Sequence, residues 1–277
     1  MTDQIVYQLT ENVLVRQSAL YQTNSSAVIL DSKVMVIDPG VFRADLDAFG
    51  ALLSPFQVVA GLITHAHWDH ILWTPSLGNG SRYCSIGTDC QMMADEASLR
   101  AALDQVETDS AGQYGYWVRT RFFEREPLVP GNYDLHGFHF ELIDLPGHCP
   151  GQAGFVFPDL GMAFVGDLIS DMEVPTVPSR AAIADYLATL DKLERLLSFL
   201  TWIIPGHGTP ANPAEALERI GLDRAYLSKL VSNPGVSNLA PDLSSARAFL
   251  EELGEHRAFS NDGWGMHIEN LTNIARG

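Results

Sequence analysis

Short apolar runs dominate the first third of the chain. They fall at 4–9, 12–16, 27–30, 34–37 and 58–63, many of their residues are β-branched, and turn formers separate several of them. That pattern predicts a sheet built early. Asp31-Ser32-Lys33 joins two of these runs tightly and predicts a hairpin. The run Val34-Met35-Val36-Ile37-Asp38 stops at Pro39-Gly40, a turn, and Ala60-Gly61-Leu62-Ile63 delivers the chain towards His65. Strand ends that feed loops are where α/β folds keep their chemistry. Residues 90–110 carry Ala, Leu, Met and Glu at helical spacing. Residues 112–131 (GQYGYWVRTRFFEREPLVPG) mix aromatics and charges without a period. An insert at about 91–131 is therefore expected to act as a lid or a dimerisation surface, with Tyr114, Tyr116, Trp117, Phe122 and Phe123 as its apolar part. Strands are predicted again at 132–136, 138–145, 153–157 and 162–166, then helices at 180–199, 213–232, 243–254 and near 265–275. One strand, Thr201-Trp202-Ile203-Ile204, interrupts the helices and leads into His207. This β-then-α order occurs twice, so two sheets face to face with helices outside are expected, in a single domain over 1–277.

Composition narrows the classes. Hydrophobic residues make up 46% of the 277, enough for a large core. No apolar stretch of about 18 residues occurs, so no membrane span is expected, and the N-terminus lacks the basic-then-apolar order of a secretory leader. The net charge of −17 argues against broad contact with nucleic acid phosphates, which needs clustered Lys and Arg. A small-molecule substrate is expected as partner, with no nucleic acid, no membrane, and a homo-oligomer left open. Cys84, Cys90 and Cys149 are an odd, sparse set, which suggests reduced thiols and a cytoplasmic location. Spacing alone leaves a Cys84–Cys90 pair open.

Four pieces carry the chemistry: Thr64-His65-Ala66-His67-Trp68-Asp69-His70, Gly147-His148-Cys149-Pro150-Gly151, Gly166-Asp167, and Pro205-Gly206-His207-Gly208. Together they supply five histidines and two aspartates, enough for two adjacent divalent ions. The ligand types at 65, 67, 69 and 70 suit a loop opening into a helix, with His65 and His67 serving one metal and Asp69 and His70 another. Imidazole and carboxylate donors favour zinc, with iron or manganese as alternatives. The histidines must be neutral and the aspartates ionised to bind, so affinity should fall in acid. Burying seven such groups for structure alone would be costly.

The motif HAHWDH fits the HxHxDH signature, and with GHCPG, the aspartate of GD, PGHG and the strand ending in Asp38 the chain resembles the metallo-β-lactamase superfamily in motif order and separation. The resemblance covers nearly the whole chain. It implies an α/β fold, an αββα four-layer sandwich with a dimetal site at one edge. By matching position it implies that His65, His67 and His148 bind the first metal, that Asp69, His70 and His207 bind the second, and that Asp167 bridges both. Asp38 is expected to support the metal loop by hydrogen bonding. Where many members have a glycine soon after the signature, this chain has Ile71-Leu72-Trp73, and Trp73 is read as core packing. Cys149 stands where Ser or Thr is commoner and is read as a small packing residue. His136 and His139 are read as strand residues without function, His256 as a surface residue, and His267 as a candidate supporting or substrate-contacting group.

The expected reaction is hydrolysis of a small-molecule ester, lactone or thioester by a metal-bridging hydroxide. Asp69 and Asp167 are the expected catalytic carboxylates, removing two of the four positive charges of the ions. Members that hydrolyse β-lactams usually lack the bridging aspartate, so Asp167 argues against that task. A phosphodiesterase is the alternative enzyme, and a metal-containing ligand sensor without turnover the alternative class. Glyoxalase-type members often carry an acid soon after the last histidine, where this chain has Gly208-Thr209. Lactonase-type members often place a tyrosine near the metals; Tyr186 is the candidate here, with helix packing as its simpler role.

Overall fold

Each apolar run of the first third becomes a strand: β1 (Val6–Thr10), β2 (Val13–Gln17), β3 (Asn24–Leu30), β4 (Lys33–Ile37) and β5 (Gln57–Ile63). The computed structural model describes residues 5–109, 124–232, 243–253, 257 and 261–276, and they fall into two compact units. The first comprises residues 1–144 with 151–159, the second 145–150 with 160–277.

In the first unit β1 to β5 continue into β6 (Ser81–Ser85) and β7 (Glu126–Leu128), a seven-stranded sheet in sequence order. The first four strands pair antiparallel and the last four parallel, with the switch at β4. Connection length explains it. A tight turn with Asp31 at φ 55° joins β3 to β4, whereas β4 and β5 are joined through the helix α1 (Arg43–Leu52), the longer crossover that parallel pairing requires. Leu46, Phe49 and Leu53 are its buried stripe. The expected helix over 90–110 is two, α2 (Ile86–Ala94) and α3 (Glu96–Asp109), broken at Asp95. Of the expected lid, residues 110–123, with all five named aromatics, lie outside the described residues. Its tail forms β7, where Pro127 sits on an edge strand, the place in a sheet that tolerates a missing N–H donor.

Trp73 is core, as expected. It is buried, its indole N–H donates to the Gly78 carbonyl at 2.9 Å, and the Arg82 guanidinium lies 5.3 Å from the ring centroid. Gly61 on β5 is required there, because a Cβ would come within 2.7 Å of the indole. Three more strands, β8 (Gly131–Leu135), β9 (Phe138–Asp144) and β10 (Ala153–Phe157), form an antiparallel meander in this unit. His136 and Gly137, at φ 58° and 91°, make the two-residue turn between the first two. His136 is thus a turn residue, not a strand residue. His139 lies exposed between Asp134 and Asp159.

The second unit carries β11 (Met162–Phe164) and β12 (Trp202–Ile204), a parallel pair joined through α4 (Ala182–Leu196). It then has α5 (Pro213–Ser232), α6 (Leu243–Leu253) and α7 (Asn261–Arg276). Arg224 of α5 reaches Asp191 and Glu194 of α4. Buried His267 of α7 hydrogen-bonds Tyr226 at 2.8 Å, and Asn270 donates to the same phenol at 2.9 Å. His267 is therefore a helix-packing residue. His256 lies outside the described residues. Among the described residues no helix is long and apolar enough to cross a membrane.

Arg16 and Asp45 form a buried pair at 3.1 Å, and Ser18 donates to the second Asp45 oxygen at 2.7 Å. Burial pulls the Arg16 pKa down, and Asp45 opposes the shift. Asp45→Ala leaves that cation buried and should cost about 3–5 kcal/mol in urea unfolding; an unchanged unfolding free energy would contradict the pair's importance. All three cysteines are free thiols, Cys84 and Cys149 buried and Cys90 exposed, so no Cys84–Cys90 disulfide forms. Burial pushes the Cys84 thiol up to about 12 from an ordinary 9.0. The folded state holds this proton more tightly than the unfolded chain. Its contribution is complete below the ordinary thiol pKa and is lost as pH rises towards about 12. A thiol reagent at about pH 8 should label one cysteine in the native protein and all three only after denaturation.

Candidate metal centre

In the first unit the HAHWDH segment begins two residues after β5 ends at Ile63, with Thr64 between. Asp38, just past β4, reaches across to it. One Asp38 oxygen accepts from the Thr64 N–H at 2.9 Å. The other accepts from the Thr64 hydroxyl at 2.5 Å and lies 3.1 Å from His70 Nδ1. A carboxylate only accepts, so His70 carries its proton on Nδ1. The Thr64 hydroxyl spends its own proton on Asp38, so its 3.0 Å contact with His65 Nδ1 is one in which the imidazole donates. A single carboxylate thus fixes both rings as Nδ1–H tautomers with Nε2 as the Lewis base. The supporting role expected of Asp38 is what the geometry shows. Asp38 itself is at φ 45°, a left-handed conformation that a short acid tolerates.

The rings of His65 and His67 lie 4.6 Å apart and those of His65 and His70 4.2 Å apart. His70 Nε2 is 3.5 Å from an oxygen of Asp69. All four are in one loop, but no helix opens after it as the spacing suggested. His70 N–H closes a turn onto the His67 carbonyl at 3.1 Å. Ile71, Leu72 and Trp73 then run into the core, and only a single 3-10 turn forms at Pro75–Leu77. Three consecutive side chains here are buried, a pattern without the solvent-facing positions of an amphipathic surface helix.

The second unit supplies His148, Asp167 and His207. His148 is on the Leu145–Pro150 segment, Asp167 on the loop after β11, and His207 on the loop after β12. Asp167 stands between the two imidazoles: one oxygen is 3.3 Å from His148 Nε2 and the other 3.3 Å from His207 Nε2. Thr176 Oγ1 contacts His148 Nδ1 at 2.6 Å, fixing that ring from behind. Gly147, at φ 139°, lies on the backbone of Tyr186, where a Cβ would come within 2.5 Å. Tyr186 is buried and its hydroxyl donates to the Asp167 carbonyl at 3.4 Å. Burial first, then the charges of Asp223 and Asp167, raise its pKa well above the ordinary phenol value, so it stays protonated. Its role here is to seat His148 and Asp167 by packing. Buried Cys149 is a packing residue, as expected.

The donors fit metal ions. All are imidazole nitrogens or carboxylate oxygens. Two Lewis bases facing one another, as His70 and Asp69 do, are stable when a cation or an added proton stands between them. Sequence reasoning missed Thr64 and Thr176, and only a hydroxyl next to or opposite a signature histidine would have hinted at them.

Comparison with known proteins places this arrangement. Over residues 19–207 the chain matches the metallo-beta-lactamase superfamily, and it belongs to that superfamily. It is 26% identical over 160 residues to the hydroxyacylglutathione hydrolase GloC of Haemophilus influenzae, covering 57% of this chain and 72% of that one. It is 26% identical over 164 residues to a probable metallo-hydrolase of Streptococcus pyogenes serotype M6, covering 58% and 65%. Solved structures of a metallo-beta-lactamase family protein from Thermus thermophilus and of a beta-lactamase domain protein from Burkholderia ambifaria superpose with TM-scores of 0.64 each. Each is 17% identical, and the shares covered are 96% and 92% for the first and 98% and 88% for the second. The fold is therefore the metallo-β-lactamase αββα sandwich that the motifs implied.

Asp38→Ala would strand the two Thr64 donors and His70 Nδ1–H. About 1–3 kcal/mol is expected for each buried donor left unsatisfied, read as a lower urea midpoint. Asp38→Asn should not rescue, because an amide N–H2 meets a donor at either position.

Proposed function

We propose that this protein is a metal-dependent hydrolase of a small-molecule ester, lactone or thioester, using two divalent ions. The observation that carries the reading is the Asp167 carboxylate, whose two oxygens face two different imidazoles at 3.3 Å each. That is the geometry expected of a carboxylate shared between two ions. Family position assigns His65, His67 and His148 to one ion, Asp69, His70 and His207 to the other, and Asp167 to both. The nitrogen and oxygen donor set favours zinc, with iron or manganese as alternatives. The Haemophilus relative is a hydroxyacylglutathione hydrolase, which supports an acyl-transfer substrate for this chain too.

When bound, the metal pair supplies a water of lowered pKa as nucleophile and polarises the substrate carbonyl. The chain's own residues set the conditions for this. Asp38, through Thr64 and directly, holds His65 and His70 with the proton on Nδ1 and Nε2 as the free Lewis base. Asp69 and Asp167 offset part of the positive charge of the ions. Thr176 and Tyr186 hold His148 and the Asp167 backbone in place, so little reorganisation is needed during reaction. No side-chain nucleophile is required.

Zinc-loaded protein should contain about two metals per chain by elemental analysis. Turned over against lactones, thioesters, aryl esters and phosphodiesters, it should cleave one of the first three groups, and Asp167→Ala or His65→Ala should abolish that activity. Full turnover after thorough chelation would overturn the reading. Tight ligand binding with two metals and no product from any substrate would turn it to a sensor instead.

A further inference from the structure

His207 stands in a loop that is held on both sides by one stretch of chain, Gly166–Asp171. Before it, the Gly206 N–H donates to the Gly166 carbonyl at 2.7 Å. After it, the Thr209 N–H donates to one oxygen of Asp171 at 2.8 Å and the Thr209 hydroxyl to the other at 2.6 Å. Only glycine fits between: Gly208 has φ 88°, and a Cβ there would collide with the Asp171 carboxylate. Arg219 of α5 closes the arrangement. It donates to the Thr209 carbonyl at 2.7 Å and to the Thr209 hydroxyl oxygen at 2.8 Å, and lies 3.6 Å from Asp171. Every polar group of Thr209 is thereby engaged.

The supporting stretch is itself over-determined. Ile169 is at φ 52°, a left-handed conformation that a β-branched residue rarely adopts. Its carbonyl accepts from Arg219 at 3.4 Å, the next carbonyl, of Ser170, accepts from buried Arg257 at 3.0 Å, and Arg257 is paired with buried Asp223 at 2.7 Å. Strain that is held by several independent contacts is characteristic of functional segments. Asp167 is the second residue of this stretch and Asp171 closes it four residues later, so one strained arch carries a carboxylate facing His207 and the carboxylate that anchors the loop of His207.

We propose that Asp171 is a positioning residue for His207, acting through Thr209, with Arg219 as the strut that fixes the same threonine. The inference rests on the dimetal reading above. Asp171 touches neither imidazole, and its effect is to set where His207 Nε2 stands relative to Asp167. Groups that orient a ligand from outside its coordination sphere typically control affinity by about 10- to 100-fold.

The test is a zinc titration of the full chain against a chromophoric chelator, for wild type, His207→Ala, Asp171→Ala and Thr209→Val. Wild type should bind about two zinc ions, and His207→Ala should lose one. Asp171→Ala should keep one ion at wild-type affinity and bind the other about 10- to 100-fold more weakly, with the lost turnover restored by excess zinc. Thr209→Val keeps the N–H contact and loses the hydroxyl, so it should fall between; it carries the test if Asp171→Ala does not fold. A merely structural role would weaken both ions together or neither, and either result overturns the proposal. Two tight zinc ions in wild type with no change in the variants overturns this inference alone. Fewer than two in wild type overturns the dimetal reading and this inference with it.

Discussion

Imidazole nitrogens and carboxylate oxygens held 3.3–3.5 Å apart, as in His148–Asp167, His207–Asp167 and His70–Asp69, are the constraint on which the rest of the site depends. Where the facing ring nitrogen is an unprotonated Lewis base, as His70 Nε2 is, it and an ionised acid repel through their lone pairs. Such a contact is favourable only when a proton or a metal ion stands between the two. The polypeptide must hold it against that repulsion until the charge arrives. Much of the polar structure near these residues is explained as such holding: Asp38 and Thr64 behind His65 and His70, Thr176 behind His148, and Tyr186 under the Asp167 backbone.

The sheet architecture fixes where these groups start. A strand ends one to three residues before each of Asp38, His65, Asp167 and His207. β4 and the end of β5 are buried and have a hydrogen-bonded neighbour on each edge, which leaves them little freedom to slide. The loops are short, so rigidity of the strands passes to these side chains. Glycines take the tightest approaches: Gly61 under Trp73, Gly147 against Tyr186, and Gly208 against Asp171.

Most of this was legible in the chain. Apolar runs located β2 to β5 and β10 to β12, whose residues are mostly buried, whereas β9 alternates buried with more exposed positions and β1 and β8 bury no residue fully. The helix α5 over 213–232 was legible for a similar reason. What escaped had weaker signals. β6, Ser81-Arg82-Tyr83-Cys84-Ser85, is mostly polar and is a strand only because Ile63 and its neighbours offer a parallel partner. α1 carries its buried stripe on just Leu46, Phe49 and Leu53. The break at Asp95 depends on capping within an otherwise helical run. The candidate metal-binding residues stood out because such chemistry draws on histidine and acid. Their supports were not, since Thr64, Thr176 and Thr209 act through hydroxyl geometry that no spacing rule encodes.

Charge completes the picture. The chain has 17 basic and 34 acidic residues, yet Arg16, Arg82, Arg219 and Arg257 are buried, spent on carbonyls and on Asp45, Asp171 and Asp223. The remaining surface is therefore more acidic than the two-to-one ratio indicates. At physiological salt such a surface field fades within about 8 Å, so it does not neutralise a loaded metal pair but does act on molecules approaching it. On the proposed reading, an approaching molecule meets first the field of the acidic exterior and then that of the ions, so a charge on it is acted on in opposite directions on approach and at the centre.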